Sequence, residues 1–468
     1  MARGFPPNPF RPRVRAGQGP PVTPAGCACE ELRRALGAAG LGPQPLELVE
    51  LPGAGYGLAA CEPLRAGDDV VGVPRAPLAL TPEVALRKSV LGAAMERQGV
   101  PAWSALAMFL AEVDAGLHAE DEEAPWLAPY VAALPREVGG ALEWSEIVQS
   151  ANRDPFTLAP SYVEVLEGST LAQGAQSRLK SAQQSWIELD DLVYAAEAEG
   201  TLAKGLISQE RLVWTFSILL SRLIRLPALN QEALVPWADM CNHAPGLGGA
   251  AATFDFDAGS GLVTLRAGRD YQPGEQVFAS YGEKSSGDLL CSYGFTSTSR
   301  TYEDDVFPLT LGVLADDPLA DAKVAVLEEA ARKGVGSRFP LRANALPEGA
   351  LPYAAFVASR PASAEECRAV AGRTLYAPFG RMGDELVRLG HEELLRAVRA
   401  CLAAFKTTFE EDKAVCGAWA NADSTGAPFV SAAALQDRSA AIAFVKVRER
   451  QILLSTENYL RGTLRNGL

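Results

Sequence analysis

The sequence predicts an α+β protein with a mainly β core, a helical insertion within that core, and a helical C-terminal region. Two groups of short strand-like segments, near residues 46–73 and 253–280, are separated by long apolar segments rich in helix formers. Further helical patterns follow residue 296. At 468 residues the chain is long enough for two or three domains, each with its own core.

The composition is that of a globular protein, with 21% charged residues and a formal net charge of −14. This charge argues against general nucleic-acid binding, which needs a basic surface. No segment approaches 18 consecutive apolar residues without a charge or a proline, so we expect no membrane span. The eight cysteines are scattered and only three histidines are present, which predicts reduced thiols and no metal site. We expect a monomer.

The first 26 residues differ from the rest of the chain. They contain four arginines, many prolines and glycines, and no acidic residue, so they cannot form a core and are predicted to be disordered. A basic, acid-free N-terminus is typical of an organelle transit peptide, which would place the protein in the chloroplast stroma. The alternative is a solvated tail on a cytoplasmic protein.

A glycine-rich turn follows the first predicted strand. Leu46–Leu51 alternates like a strand, and Gly53–Gly57 reads GAGYG. A strand followed by G-x-G-x-G also begins dinucleotide-binding domains, but that interpretation needs a helix at the last glycine. Here the turn residues Pro63 and Gly67 precede another predicted strand, Val70–Val73. The glycines therefore indicate a backbone segment that closely approaches a ligand or another strand.

Residues 81–230 are predicted to be a helical insertion. Ala102–Asp114 has the pattern of a buried helix, and Leu212–Leu226 is the most apolar helix candidate, ended before Pro236. Arg222 and Arg225 lie inside the latter segment. A buried arginine needs an anionic partner, which we expect for Arg222. Arg225 is either a substrate-binding residue or a charged side chain at a helix end.

The densest group of polar and aromatic residues lies in Ala233–His243 and Val277–Phe295. The first segment carries Asp239, Asn242 and His243 after an apolar run. A predicted hairpin, Thr253–Phe256 with Gly261–Arg266, and a strand, Gln276–Ser280, lead to Tyr281. Tyr293 ends the second segment, and both tyrosines precede a glycine. No spacing here predicts a Ser-His-Asp or Cys-His catalytic arrangement.

Six motifs in order resemble the SET-domain protein methyltransferases, in the branch of the Rubisco large-subunit methyltransferase. They are GYGLAA, SR, LVPWADMCNH, EQVFASYG, KSSGDLL and SYGF, and the resemblance covers roughly residues 45–465. Cys241, Ser286 and Asp288 depart from the usual aliphatic residue, Asn and Glu of these motifs. The resemblance implies a SET domain at 27–295, split by the insertion at about 81–230, and an all-helical substrate-binding domain at 296–468.

The resemblance also implies site residues for S-adenosyl-L-methionine, the methyl donor. The main chain at Ala54 and Tyr56, the Arg222 guanidinium on the cofactor's carboxylate, and Asn242 with His243 on its amine and adenine would bind the cofactor. The Tyr281 phenol would lie beside the transferring methyl group as the catalytic residue. On the substrate side the implied residues are Asp239, Arg225 and Tyr293. Tyr293 would lie in the wall of the lysine channel, and Asp239 would alternatively support its own segment.

The implied activity is protein-lysine methylation, with a plastid protein such as the Rubisco large subunit or fructose-bisphosphate aldolase as substrate. One alternative is a cytosolic enzyme acting on a translation factor or on a protein histidine. The other is a SET-like module that binds proteins without catalysis. In the C-terminal region, Leu394, Val398, Leu402 and Phe405 share one helical face, Ala440–Leu460 is a second helical pattern, and Gly334–Leu351 has the composition of a linker.

Overall fold

A computed structural model describes most of the chain. The described residues are 23–24, 27–51, 55–145, 156–244, 252–297, 304–314, 316–343, 345–377, 382–420, 429–431 and 438–465. Ala54 lies outside them, as does nearly all of the predicted N-terminal tail. Of that tail, Thr23–Pro24 forms a two-residue strand, so its last part pairs with the core instead of being a free tail.

The described residues form fourteen strands and sixteen α-helices. The strands are β1 Thr23–Pro24, β2 Leu46–Leu51, β3 Gly55–Ala60, β4 Asp69–Pro74, β5 Ile224–Leu226, β6 Gln231–Ala233, β7 Asn242–His243, β8 Asp255–Asp257, β9 Leu262–Arg266, β10 Gln276–Ala279, β11 Phe295–Ser297, β12 Phe307–Thr310, β13 Arg338–Leu341 and β14 Phe429–Ser431. The helices are α1 Cys27–Ala38, α2 Arg75–Leu78, α3 Pro82–Lys88, α4 Gly92–Gln98, α5 Ala102–Asp114, α6 Leu127–Ala133, α7 Pro160–Leu166, α8 Thr170–Ala198, α9 Gln209–Arg222, α10 Ser286–Tyr293, α11 Ala320–Arg332, α12 Ala350–Ala358, α13 Ala364–Arg373, α14 Asp384–Ala404, α15 Phe409–Ala420 and α16 Arg438–Arg465.

Two small sheets form the β core. One has the strand order β1-β2-β3-β10-β7, in which β7 and β10 run parallel, and the other has the order β4-β9-β8. The predicted hairpin is confirmed by the antiparallel pairing of β8 with β9. No helix follows Gly57, which lies inside β3, so the structure excludes the dinucleotide-binding interpretation of the glycine turn.

The helical insertion is confirmed, with one correction to its last helix. The buried helix Ala102–Asp114 is α5. The segment Leu212–Leu226 is not one helix, because α9 ends at Arg222, well before Pro236. Leu223 is extended, and Ile224–Leu226 forms a hairpin with β6. The chain leaves the helix here because the hairpin and Pro227 need an extended backbone.

The C-terminal region is mainly helical, as predicted, but it is not all-helical. Strands β12 and β13 form an antiparallel pair, and β13 lies within the segment predicted to be a linker. Long helix α16 joins two cores: Ile442 and Val445 pack in the large core that contains α5, whereas Ile452 and Leu453 pack with β12, β13, α12 and α14. Among the described residues no helix is long and apolar enough to cross a lipid bilayer.

A buried glutamate marks the place where α16 passes between the two cores. One oxygen of Glu449 accepts hydrogen bonds from the Thr170 amide, at 3.1 Å, and from the Thr170 hydroxyl. The other oxygen has no hydrogen-bond partner among the described residues. Burial therefore raises the pKa of Glu449 from 4.5 to about 7, although the hydrogen bonds oppose this effect.

We expect Glu449→Gln to flatten the pH dependence of stability. The native state favours the protonated acid, so stability is lost as pH rises from about 4 through about 7. Between pH 5 and 8 the wild type should lose about 2 kcal/mol more unfolding free energy than the variant. Urea unfolding at both pH values measures this difference. Glu392→Gln, at an exposed carboxylate paired with Arg388, should behave like the wild type; parallel curves for all three proteins would contradict the prediction.

Candidate active site

The candidate site forms where β7 and β10 lie side by side. Phe278 pairs with Asn242 and Ala279 with His243 in the parallel ladder, and Tyr281 follows the end of β10. Strand β3 flanks β10 on its other side. Segments far apart in sequence are therefore brought together by three adjacent short strands.

Asn242 is held by the glycine strand. Its side-chain amide donates to the Tyr56 carbonyl at 3.1 Å. A Cβ atom on Gly57 would lie 2.9 Å from that Asn242 nitrogen and 2.7 Å from the Gln276 side-chain nitrogen, so a larger residue would displace these amides. The Gln276 nitrogen is buried and has no hydrogen-bond partner among the described residues. Two amide donors thus converge at this point, which suits a ligand that carries hydrogen-bond acceptors.

Three aromatic rings pack together around Tyr281, at the end of β10. The Tyr281 ring stacks on His243 and tilts against Tyr293, with centroids 5.0 Å apart in each pair. The Tyr281 amide donates to His243 Nδ1 at 3.1 Å, and the Tyr281 hydroxyl donates to the Cys241 carbonyl at 2.8 Å. Because the Tyr281 hydroxyl donates its hydrogen to the Cys241 carbonyl oxygen, the lone pairs of the phenol oxygen can accept a hydrogen bond from an amine.

Burial keeps these groups neutral. It lowers the pKa of His243 from 6.5 to about 4, because the charged imidazolium is poorly solvated there, and nearby Lys284 lowers it further. Burial also raises the pKa of Tyr281 and of Tyr293. At neutral pH the enclosure formed by these three rings is therefore uncharged. Loss of water on burial inside it disfavours an ammonium group and favours a neutral amine.

Behind the rings lies a buried charged cluster. Arg222 Nη1 donates to the Asp239 carbonyl at 3.0 Å and contacts Asp239 Oδ2 at 3.4 Å. The Tyr130 hydroxyl donates to the same carboxylate oxygen at 2.7 Å. Burial raises the pKa of Asp239, whereas Arg222 and Tyr130 lower it. The charge of Arg222 thus has a protein carboxylate beside it. No pattern in the sequence predicts the pairing of Tyr130 with Asp239.

The turn that contains Asp239 begins with a strained backbone conformation. Trp237 has a φ of 76° and a ψ of −54°, a backbone conformation that residues other than glycine rarely adopt. Asp239 follows in a 3-10 turn. The Trp237 indole nitrogen is buried without a hydrogen-bond partner among the described residues. Such strain persists only where the surrounding structure enforces it, and it commonly marks a functional segment.

The structure places the two predicted substrate contacts differently, and the substrate-binding role of Arg225 stays a prediction. The Asp239 side chain is completely buried, so it cannot meet an incoming peptide, and the geometry fits the buttressing alternative instead. Arg225 is exposed in β5, where its guanidinium donates to Asn230 Oδ1 at 3.2 Å, so it is not part of the cluster around Tyr281. Among the described residues, no group of three or more His, Cys, Asp or Glu side chains is placed to hold a metal ion.

Two parts of the chain match known protein families. Residues 55–282 match the SET domain and residues 315–453 match the Rubisco LSMT substrate-binding domain. The Pisum sativum protein "Ribulose-1,5 bisphosphate carboxylase/oxygenase large subunit N-methyltransferase, chloroplastic" is 26% identical over 77% of this chain and 69% of its own length. An actin-histidine N-methyltransferase of Danio rerio is 26% identical over 61% of this chain and 44% of its own length.

The fold is shared with a solved structure. The crystal structure of the SET domain of LSMT bound to lysine and AdoHcy superposes with a TM-score of 0.69 and 22% identity, covering 93% of this chain and 91% of that one. The common architecture thus extends through the C-terminal helices as well as the β core.

Proposed function

Because this chain is a SET-domain protein of the Rubisco large-subunit methyltransferase type, we propose that it methylates lysine side chains of a protein substrate with S-adenosyl-L-methionine. The observation that carries the proposal is the enclosure formed by the rings of His243, Tyr281 and Tyr293. When bound, the cofactor supplies an activated methyl group on a sulfonium sulfur.

The residues around β7 and β10 fit this cofactor. The convergent amides of Asn242 and Gln276 offer donors to its acceptor atoms, and the partly exposed Arg222 guanidinium offers a cation to its carboxylate. His243, neutral and hydrogen-bonded to the main chain, contributes a flat apolar surface. Ala54, whose main chain the resemblance also assigns to the cofactor, lies outside the described residues.

The chain's contribution to the reaction is alignment and desolvation. The lysine ammonium would first give its proton to water. The neutral amine nitrogen would then form a bond to the methyl carbon as the carbon–sulfur bond breaks, which would leave S-adenosylhomocysteine. Deprotonating a lysine with a pKa near 10.4 costs about 4–5 kcal/mol at neutral pH. The aromatic enclosure lowers that cost by disfavouring the ammonium form, and the phenol oxygen of Tyr281 aligns the free amine. The buried and paired carboxylate of Asp239 is not placed to act as a base.

The substrate we propose is a plastid protein, with the Rubisco large subunit first and fructose-bisphosphate aldolase second. Support comes from the similarity to the chloroplast enzyme of Pisum sativum, from the matching substrate-binding domain and from the basic, acid-free N-terminus. A histidine acceptor in the cytosol is the second candidate, because a relative of equal identity is an actin-histidine methyltransferase.

Methyl transfer from radiolabelled S-adenosyl-L-methionine tests the proposal. The full-length protein is incubated with a stromal extract and, in parallel, with a cytosolic extract. We expect one labelled stromal protein that yields methyl-lysine after hydrolysis, and no label with Arg222→Ala. Label on histidine in the cytosolic extract would favour the second candidate. No label in either extract, together with no cofactor binding by calorimetry, would favour a SET-like binding module without catalysis.

A further inference from the structure

We propose that Tyr130, from the helical insertion, is a positioning residue for the cofactor site: it holds the Asp239 carboxylate, and that carboxylate holds Arg222. The inference rests on the proposed function, because Arg222 is the cation offered to the cofactor. It assigns a role to a residue outside the strands and motifs that define the site.

Tyr130 is placed by helix α6, which packs in the large core. Its side chain is fully buried, and the neighbouring Trp126 indole donates to the Pro77 carbonyl at 3.1 Å, so the start of α6 is tied to the end of β4 and α2. The phenol therefore reaches Asp239 from a rigid support.

Tyr130 is the closer of the two partners of the shared carboxylate oxygen. Its hydroxyl lies 2.7 Å from Asp239 Oδ2, whereas Arg222 Nη1 lies 3.4 Å from that atom. The second oxygen, Oδ1, is buried and has no hydrogen-bond partner among the described residues. The orientation of the carboxylate thus depends mainly on the phenol. Arg222 is held by the Asp239 carbonyl at 3.0 Å and by this carboxylate at 3.4 Å, and the second of these contacts depends on the phenol.

Removing the phenol has a specific electrostatic consequence. The groups that face Asp239 are Tyr130 from α6, Arg222 from α9, and Cys241 and Tyr281 around β7 and β10. Burial raises the pKa of Asp239, and the Tyr130 hydrogen bond opposes that rise. Without this hydrogen bond, Asp239 accepts a proton at a higher pH, and Arg222 then loses its charged partner.

The test is Tyr130→Phe, with binding of S-adenosylhomocysteine measured by calorimetry between pH 5.5 and 8.5. We expect the Kd to rise about tenfold at pH 7.5, the scale of one hydrogen bond to a charged group. The pH below which binding fails should also move upward. Tyr271→Phe removes a hydroxyl from another fully buried tyrosine, outside the cluster, and should leave both the Kd and the pH profile unchanged.

Asp239→Asn separates positioning from ordinary packing. An amide cannot take up the proton, so we expect a flatter pH profile of binding than in the wild type, and Tyr130→Phe should cost less in this background than alone. A Tyr130→Phe protein with the wild-type Kd and pH profile would overturn the inference. Should that variant not fold, identical pH profiles for Asp239→Asn and the wild type would overturn it instead. A wild type that binds no S-adenosylhomocysteine would refute the proposed function itself.

Discussion

Tyr281→Phe is expected to lower the turnover number about 100-fold while cofactor binding persists. The hydroxyl of Tyr281, the central ring of the enclosure, is fixed by the Cys241 carbonyl at 2.8 Å. A phenylalanine keeps the stacking on His243 and Tyr293 but removes the acceptor that aligns the amine. Misalignment of a reacting group by about 1 Å costs roughly this factor. Single-turnover methylation and calorimetry measure the two effects separately.

A matched variant shows whether the effect belongs to the phenol itself. Tyr271 is also a fully buried tyrosine of this sheet region, with its hydroxyl near the Phe278 amide, so Tyr271→Phe removes a similar buried group outside the site. We expect near-normal turnover for this control. Unchanged turnover in Tyr281→Phe would remove the role that we assign to its hydroxyl.

Helices and strands whose apolar pattern lies within one continuous segment could be predicted from the sequence. The helix α5 and the strand β2 coincide with their predicted segments, and the β8–β9 hairpin overlaps with its own, because apolar periodicity and turn residues reflect burial along a single segment. The glycines around Gly57 were likewise expected to allow a close approach, and the side chains of Leu51, Gln276 and Asn242 lie against Gly57.

The sequence did not predict features that depend on contacts between distant segments. Tyr130 and Asp239 are 109 residues apart, and no periodic pattern connects them. The strands β12 and β13 were not predicted because each contains a proline, which normally argues against a strand. Pro308 and Pro340 face each other in the ladder, a position that is tolerated where opposite residues exchange no hydrogen bonds.

The glycine that follows Tyr293 is a second point where the site depends on a distant segment. Gly294 ends helix α10 in the left-handed conformation, with a φ of 73°. A Cβ atom there would lie 1.7 Å from the Val138 carbonyl oxygen and 3.0 Å from the Gly139 carbonyl carbon. The main chain of the insertion therefore lies directly against the end of the helix that carries Tyr293.

Gly294→Ala is expected to destabilise the protein by about 3 kcal/mol or more, because the left-handed conformation and the clash with a main-chain carbonyl both oppose the new methyl group. The displaced end of α10 should also move Tyr293 away from Tyr281 and lower turnover in the protein that remains folded. Gly274→Ala is the matched control: its φ is 83° and its Cβ would meet nothing within 4 Å, so it should cost only about 1 kcal/mol. Urea unfolding of both variants separates the conformational cost from the clash. Equal losses would mean that residues 138–139 yield without cost, and the coupling between the insertion and the lysine channel would then be absent.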